Sequence, residues 1–196
     1  ALAANTTGAR NTAVGTYALD GNTTASDCTA IGYAALTAAN TGANNCAFGA
    51  NALQSNTSGG SNTGLGRYGL YQNTTGNYNT ALGNNSLYSN TTGDANTALG
   101  NAAMQNVTTA DGGCAVGSGA LFSASTGNNN VAMGNNAGYD VTTGCCSVLL
   151  GAAAGRSTSP SGAITTASNL VCIGDNSITT SYIKVDWTVT SDRRDK

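Results

Sequence analysis

Large apolar residues followed directly by glycine recur along this chain at a constant spacing of 17 residues. Residues 79–83 read Asn-Thr-Ala-Leu-Gly, and residues 96–100 repeat the same five letters. A fixed short period predicts one strand-and-turn unit per repeat, stabilised by stacking on its neighbours into a rod. The glycine that marks the period falls at Gly15, Gly32, Gly49, Gly66, Gly83, Gly100, Gly117, Gly134 and Gly151.

Side chains within the repeated phrase are expected to alternate between two faces, as on any strand. One face takes the large residue before the glycine, such as Leu82 and Leu99, together with Thr80 and its equivalents. We expect this face to form the interior of the coil. The opposite face takes Ala81 and Ala98, and we expect these small residues to lie against a close neighbour outside the coil. The glycine is expected to end the strand, through a positive φ or a close backbone approach.

A second apolar residue follows four positions after the glycine, as at Leu87, and is predicted to lie in a helical turn or a short second strand. A polar corner with turn residues comes next, as in residues 73–76. The predicted fold class is therefore all-β, a parallel β-solenoid or β-roll of about ten rungs and roughly 50 Å. Because so short a rung encloses little apolar volume, we expect a parallel homotrimer, with a single-chain solenoid as the alternative.

The pattern divides the chain into four segments. Residues 1–155 hold the regular repeats, and residues 156–180 hold an inserted loop and a terminal rung, because the next copy of the phrase comes six residues late. Residues 181–190 alternate apolar and polar side chains and are predicted to form a strand that serves as the neck of the trimer. Residues 191–196 are a polar tail that holds three of the seven basic residues.

Composition narrows the classes of function. Only 8% of residues are charged, the net charge is -2, and 40% of residues are hydrophobic, which argues against a disordered chain. No basic surface is indicated, so neither nucleic acid nor anionic lipid is an expected partner. No apolar run approaches the roughly 20 residues needed to span a bilayer, so membrane insertion is not expected.

Six cysteines are present without any histidine or C-x-x-C pair, so no metal site is predicted and no cofactor is indicated. Cys46 and Cys114 take the place that threonine fills in most repeats, and we expect them to be small buried thiols. The alternative is disulfide bonding between rungs or chains, for which Cys145 and Cys146 are the first candidates.

Three copies of the phrase resemble a known family. Residues 131–134 (Val-Ala-Met-Gly), 148–151 (Val-Leu-Leu-Gly) and 171–174 (Val-Cys-Ile-Gly), with the Asn-Thr-Ala-Leu-Gly copies, resemble the coil motif of trimeric autotransporter adhesin heads. Similar coils recur in bacteriophage tail fibres. The resemblance covers residues 11 to about 178 and implies a trimeric, left-handed parallel β-roll on a virion tail fibre or an extracellular surface.

The last six residues, Ser-Asp-Arg-Arg-Asp-Lys, taken alone are an exposed polar tail. They also resemble the opening of the intramolecular chaperone domain of phage tail fibres, tailspikes and endosialidases. That resemblance implies self-cleavage between Thr190 and Ser191, with Ser191 as nucleophile and Lys196 as its base, a role that lysine can fill without histidine. Asp195 departs from the family pattern and favours the charged form of Lys196.

The predicted function is a structural segment of a viral, bacteriophage-like tail fibre or adhesin that supports attachment to a glycan or protein receptor on the host. Exposed Tyr71, Tyr78 and Tyr88 are candidates for receptor contact, although packing over the neighbouring rung is the favoured interpretation. The corner sequons at Asn56 and Asn73 recur because the corner recurs, and are weak evidence for glycosylation.

A cellular surface adhesin, an ice-binding type of solenoid and a glycan-degrading tailspike are the alternatives. An ice-binding array needs alternate threonines on one face, whereas Thr74 and Thr75 are adjacent and point opposite ways. A glycan-degrading enzyme needs paired carboxylates, so the rod is not expected to be an enzyme. We interpret its aspartates as scattered over different repeat positions: Asp20, Asp27, Asp94, Asp111, Asp140 and Asp175.

Overall fold

The computed structural model describes residues 1–38, 40–156 and 163–175, and these residues form an all-β solenoid. Ten parallel strands of three residues each make one sheet in chain order, which confirms the predicted fold class. The strands are β1 (Thr12–Val14), β2 (Thr29–Ile31), β3 (Cys46–Phe48), β4 (Thr63–Leu65), β5 (Thr80–Leu82), β6 (Thr97–Leu99), β7 (Cys114–Val116), β8 (Val131–Met133), β9 (Val148–Leu150) and β10 (Val171–Ile173).

Strand pairing follows the sequence period without slippage. In β5 and β6, Thr80 pairs with Thr97 and Ala81 with Ala98. Val148 of β9 pairs with Val171 of β10, so the six additional residues between these strands leave the register of the sheet unchanged. The predicted loop at residues 157–162, the neck strand at 181–190 and the tail at 191–196 lie outside the described residues.

The strand face that points into the coil is the opposite of the one predicted. Ala81 and Ala98 are fully buried inside the coil, whereas Leu82 points outward with 41% of its surface exposed. Leu99 and Thr80 lie on the same outward face and are half-buried. The predicted alternation is therefore correct, but the assignment of Leu82 and Leu99 to the interior is wrong. The reason is volume, because the narrow rung has room for only small strand side chains opposite its second apolar residue.

That second apolar residue fills the core. Leu87 is fully buried and lies in a turn with φ of 49°, so neither predicted alternative, a helical turn or a second strand, is correct. The Leu87 amide donates to the carbonyl of Ala103 in the next rung at 3.0 Å. A positive φ is uncommon for leucine, yet it recurs at every equivalent long residue: Leu19, Leu36, Leu53, Leu70, Leu87, Met104 and Leu121.

Buried asparagines tie successive rungs together in a column beside the strands. The Asn79 carbonyl oxygen Oδ1 accepts a hydrogen bond from the Asn96 amide at 2.9 Å, and Asn79 Nδ2 donates to the Gly93 carbonyl at 2.7 Å. Asn62 makes the same pair of bonds one rung earlier, to Asn79 and Gly76. Because each side chain satisfies two buried backbone groups of the next rung, asparagine stabilises the coil where leucine would leave those groups unpaired.

A second asparagine column occupies the polar corner. Asn73 Nδ2 donates to Asn56 Oδ1 at 2.7 Å, and Asn90 Nδ2 donates to Asn73 Oδ1 at 2.8 Å. Val107 takes the next place, and Asn90 Oδ1 is accordingly buried without a hydrogen-bond partner. The core therefore changes from an amide column to apolar packing at this rung.

Candidate functional site

The outward side chains of β1–β10 form one continuous surface, which we call the sheet face. Its exposed fractions include 56% for Val14, 49% for Phe48, 48% for Met133 and 59% for Ile173. Nine rung steps of about 4.8 Å and strands about 10 Å long give it an area of roughly 400 Å². Its large apolar column consists of Val14, Ile31, Phe48, Leu65, Leu82, Leu99, Val116, Met133, Leu150 and Ile173.

The second column of the sheet face contains threonine, cysteine and valine. Thr63, Thr80 and Thr97 are half-buried and lie beside the large apolar residues of the same strands. No charged residue occurs at any outward position of the ten strands. An apolar, uncharged surface of this size fits another apolar surface and offers nothing to an ionic ligand.

Cysteines on the sheet face depart from their predicted environment. Cys46 and Cys114 are only half-buried, so the expectation that they are buried in the coil is wrong, because their column faces outward. Cys28 and Cys172 are the buried thiols. All six cysteines are free thiols in the chain, so the alternative of disulfides between rungs is not realised. Bonding between chains stays a prediction.

After Gly66, the glycine that ends β4, three tyrosines form an aromatic cluster, and one arginine lies against one of them. The Tyr71 and Tyr88 rings are stacked with centroids 5.0 Å apart and planes at 17°, which confirms the prediction that they pack over neighbouring rungs. Tyr68 meets both rings edge-on, at 5.3 and 5.9 Å. The Arg67 guanidinium lies 4.5 Å from the Tyr68 ring centroid and donates to the Tyr68 hydroxyl at 3.1 Å. We call Arg67, Tyr68, Tyr71 and Tyr88 the arginine–tyrosine patch.

A second aromatic pair lies further along the rod. Phe122 and Tyr139 are stacked with centroids 4.7 Å apart, and the Arg156 guanidinium lies 4.8 Å from the Tyr139 centroid. Arg156 also lies 3.9 Å from an Asp140 carboxylate oxygen. Its charge is therefore partly compensated within the chain. Tyr78 belongs to neither group and is 71% exposed, so the favoured interpretation that it packs over the neighbouring rung is wrong.

Two of the aspartates share one repeat position, which corrects their interpretation as scattered. Asp94 and Asp111 are 17 residues apart, and the Asp94 amide donates to Asp111 Oδ1 at 2.8 Å. Asp94 Oδ1 accepts in turn from the Asn77 amide at 2.6 Å. Both carboxylates are exposed and serve as acceptors for backbone amides of the preceding rung. The period of 17 was the signal by which sequence reasoning could have found this pair.

The other ionic contacts lie near the N-terminus. Arg10 Nε donates to Asp27 Oδ1 at 2.5 Å, and Nη2 donates to Oδ2 at 2.7 Å. The hydrogen bonds from Arg10 hold the pKa of the Asp27 carboxyl below its ordinary value. Within the described ranges, no group of three or more histidine, cysteine or acidic side chains has the geometry to hold a metal ion.

The corner sequons are unsuited to glycosylation in the folded chain. Asn56, Asn73 and Asn90 are fully buried, and their Nδ2 atoms donate to neighbouring oxygens. The predicted nucleophile Ser191 and base Lys196 lie outside the described residues.

Comparisons with known proteins add no relative. No protein-family model, no curated protein and no solved structure matches the chain. Over the residues that the structure describes, no helix is long and apolar enough to cross a membrane.

Proposed function

We propose that this chain is a rod segment of a trimeric fibre, of the bacteriophage tail-fibre or surface-adhesin type, and that it holds a receptor-binding part away from the particle or cell. The observation that carries the proposal is the sheet face, an uncharged column of large apolar residues that runs along all ten strands. Exposed apolar surfaces of several hundred Å² are typical of interaction sites.

Burial of the sheet face supplies the driving force for assembly. About 400 Å² at roughly 25 cal/mol per Å² corresponds to ~10 kcal/mol per chain, before the costs of association. In a parallel, in-register trimer the same rung of each chain meets at the axis, so that Leu65, Leu82 and Leu99 form successive apolar layers. The resemblance to trimeric adhesin heads supports three as the number of chains.

The repeated hydrogen bonding between rungs suits a spacer. Successive rungs repeat the same backbone hydrogen bonds, such as Thr80 N to Asn96 O and Thr97 N to Gly113 O, both at 2.8 Å. Rungs that contact only their neighbours produce a rod whose length grows with the number of repeats. A fibre that attaches to a receptor on the host would belong to a virion tail or to another extracellular surface.

Charge on the sheet face tests the proposal. The double variant Leu82→Asp/Leu99→Asp should sediment as a monomer, because six carboxylates cannot be buried together at the trimer axis. Its far-ultraviolet circular dichroism should remain that of the parent, since both side chains point away from the coil interior. The matched control Thr75→Asp/Thr92→Asp places the same charges on exposed corners and should remain a trimer. A double variant that sediments like the parent would refute the assigned interface.

The terminal motif supports an addition to this proposal. In a precursor that continues past Lys196, the Ser191 hydroxyl would give its proton to Lys196 and attack the Thr190 carbonyl, forming an ester while the peptide C–N bond breaks and the Ser191 amine takes up the proton. Water would then hydrolyse the ester and release the fibre, ending at Thr190, from its chaperone. Mass spectrometry of such a precursor should find a chain ending at Thr190, and Ser191→Ala should abolish that product. An uncleaved parent precursor, or equal cleavage of the Ser191→Ala variant, would contradict the addition.

One observation favours ice binding as a second candidate. Thr63, Thr80 and Thr97 form a column on adjacent strands of the sheet face. The neighbouring column is uneven, however, because Phe48 and Leu65 differ in size and shape, so the surface is not a flat lattice. We expect thermal hysteresis equal to that of buffer, and a clear hysteresis gap would favour ice binding instead.

A further inference from the structure

Arg67 is an isolated positive charge in the middle of the rod. It is the only charged residue between Asp27 and Asp94 in the sequence. Its side chain is exposed, and among the described residues no carboxylate lies within ion-pair distance of it. The contact with Tyr68 fixes the guanidinium by one hydrogen bond and leaves its other N–H groups available to a ligand. A cation without a partner on an otherwise neutral surface attracts an anion more specifically than one of many charges does.

Neutral hydrogen-bonding groups lie in the same patch as this cation. Tyr68, Tyr71 and Tyr88 each carry a hydroxyl on a half-buried ring. The Asn85 amide donates to the Arg67 carbonyl at 3.1 Å, which places the following rung, with exposed Asn84, directly beside the arginine. Phenol and amide groups donate and accept hydrogen bonds, while ring edges offer apolar contact. These are the groups that recognise a sugar, which presents hydroxyls and C–H groups together.

We propose that the arginine–tyrosine patch binds an acidic saccharide, with the sugar carboxylate held by the Arg67 guanidinium. A guanidinium matches a carboxylate through two parallel hydrogen bonds. The tyrosine hydroxyls and Asn84 then contact the ring hydroxyls. A single cation favours a sugar with one carboxylate per unit over an acidic peptide or a nucleic acid, since those ligands need several cations along their length.

This inference rests on the proposed function, because it names the class of receptor that the fibre contacts. The patch and the sheet face are separated by the corner at Gly66, where φ is +126° and the chain turns out of the strand. Three chains that bury their sheet faces therefore leave the patch on the outside of the fibre. The repeated chain would present it three times, which raises avidity for a surface that carries many copies of the sugar.

The second arginine and aromatic pair provides an internal control. Arg156 also lies over a tyrosine ring, but it has Asp140 at 3.9 Å. If any arginine beside an aromatic ring bound acidic saccharides, Arg67 and Arg156 would bind them equally. The proposal instead assigns acidic-saccharide binding to Arg67 alone.

A glycan array tests the inference with the full chain. The array should carry sialylated glycans beside the same glycans without sialic acid, galacturonate oligomers beside galactose oligomers, and acidic peptides. We expect retained glycans to be acidic, Arg67→Gln to weaken their binding at least about tenfold, and Arg156→Gln to leave it unchanged. Retention of neutral glycans or peptides alone, no retention at all, or equal binding by Arg67→Gln would each overturn the inference.

Sedimentation of the same samples separates this inference from the proposed function. A trimer that retains no acidic glycan refutes the saccharide site and leaves the fibre proposal intact. A monomer whose acidic-glycan binding is lost in Arg67→Gln refutes the trimer and supports the site. Arg67→Lys keeps the charge but not the planar fork, and we expect it to recover only part of the lost binding.

Discussion

At the scale of single residues, the glycine that ends each strand tolerates a side chain poorly. Gly83 has φ of +142°, and a Cβ atom there would lie 2.4 Å from the Gly100 carbonyl oxygen. Both predicted reasons for glycine, the positive φ and the close backbone approach, therefore apply at the same residue. A Cβ atom at Gly100 would likewise lie 2.6 Å from the Gly117 carbonyl oxygen. The distance between stacked rungs therefore excludes a side chain at these glycines.

Gly83→Ala should therefore destabilise the rod. We expect the free energy of unfolding to fall by about 2 kcal/mol or more, because alanine adopts this φ poorly and its methyl group displaces the next rung. Urea denaturation at fixed chain concentration measures the change. Thr92→Ala, at an exposed corner, should change stability by less than about 0.5 kcal/mol. Equal stability of the two variants would show that the backbone at Gly83 tolerates a Cβ atom.

The surroundings of three cysteines shift their thiol pKa values in different directions. The Ser168 hydroxyl, with a smaller contribution from Cys146, lowers the pKa of the Cys145 thiol below its ordinary value. The Cys145 neighbour raises the pKa of Cys146, and burial raises the pKa of Cys28. Since the thiolate is the reactive form, a lowered pKa moves alkylation to lower pH.

We expect the pH midpoint of iodoacetamide labelling to be lower for Cys145 than for Cys146, as resolved by fragment mass spectrometry. Ser168→Ala should shift the Cys145 midpoint upward, because it removes the hydrogen bond that favours the thiolate. Cys28 should be labelled only after unfolding. A Cys146 midpoint below that of Cys145 would contradict the assigned hydrogen bonding.

At the scale of the rung, core volume is conserved by exchange between two positions. In the first seven rungs the inward strand residue is small and the residue of the following turn is long, as with the buried Ala81 and Leu87. In the ninth rung the sizes are reversed: Leu149 is fully buried on the strand and Gly155 occupies the turn. A Cβ atom at Gly155 would lie 2.4 Å from Leu149 Cδ2. The two sites therefore share one volume.

This exchange predicts strong coupling between residues 149 and 155. Leu149→Ala should cost about 3 kcal/mol through the cavity, and Gly155→Leu about 2 kcal/mol through overpacking. The double variant should be more stable than either single variant, because it restores the arrangement of the earlier rungs. The φ of +73° at Gly155 lies near the values that leucine adopts in those rungs. Additive losses in a double-mutant cycle would contradict the shared volume.

Sequence reasoning predicted the alternation of each strand but not which face is inside. The alternation follows from strand geometry alone, so Thr80 and Leu82 share a face as expected. Sidedness depends on the interior width of the rung, which is set by where Leu87 and the buried asparagines lie. Neither the positive φ of Leu87 nor the two-rung hydrogen bonding of Asn79 has a local sequence signal. Polarity by itself therefore placed the strand leucines inside.

At the scale of the whole molecule, the period was sufficient to predict the rod. Ten strands pair in chain order because each rung places its strand directly beside the previous one, and the late copy at β10 keeps the register. Because Leu82 points outward and Ala81 inward, a trimer would bury the large apolar face that carries Leu82 and not a small face that carries Ala81. The predicted small outer face does not exist, and the large apolar face takes its place as the surface that a second and third chain would cover.

The arginine–tyrosine patch also belongs to this scale, because stacking assembles it from two repeats. Tyr71 and Tyr88 are visible in the sequence as a pair one period apart, and the isolation of Arg67 is visible as a long neutral stretch. Their contact with Tyr68 was not predictable, since it depends on the direction in which the chain leaves the Gly66 corner. The 17-residue period and the charge pattern indicate the patch in the sequence, whereas the contact with Tyr68 is seen only in the structure.

The native mass of the unaltered chain tests the central claim most directly. Mass spectrometry under native conditions, beside the denatured chain of 19.2 kDa, counts the chains in the assembly. We predict a native mass three times that of the denatured chain, because the sheet face is covered only on association and the resemblance to adhesin heads favours three chains. A native mass equal to that of one chain, at concentrations where the rod is folded, would contradict it.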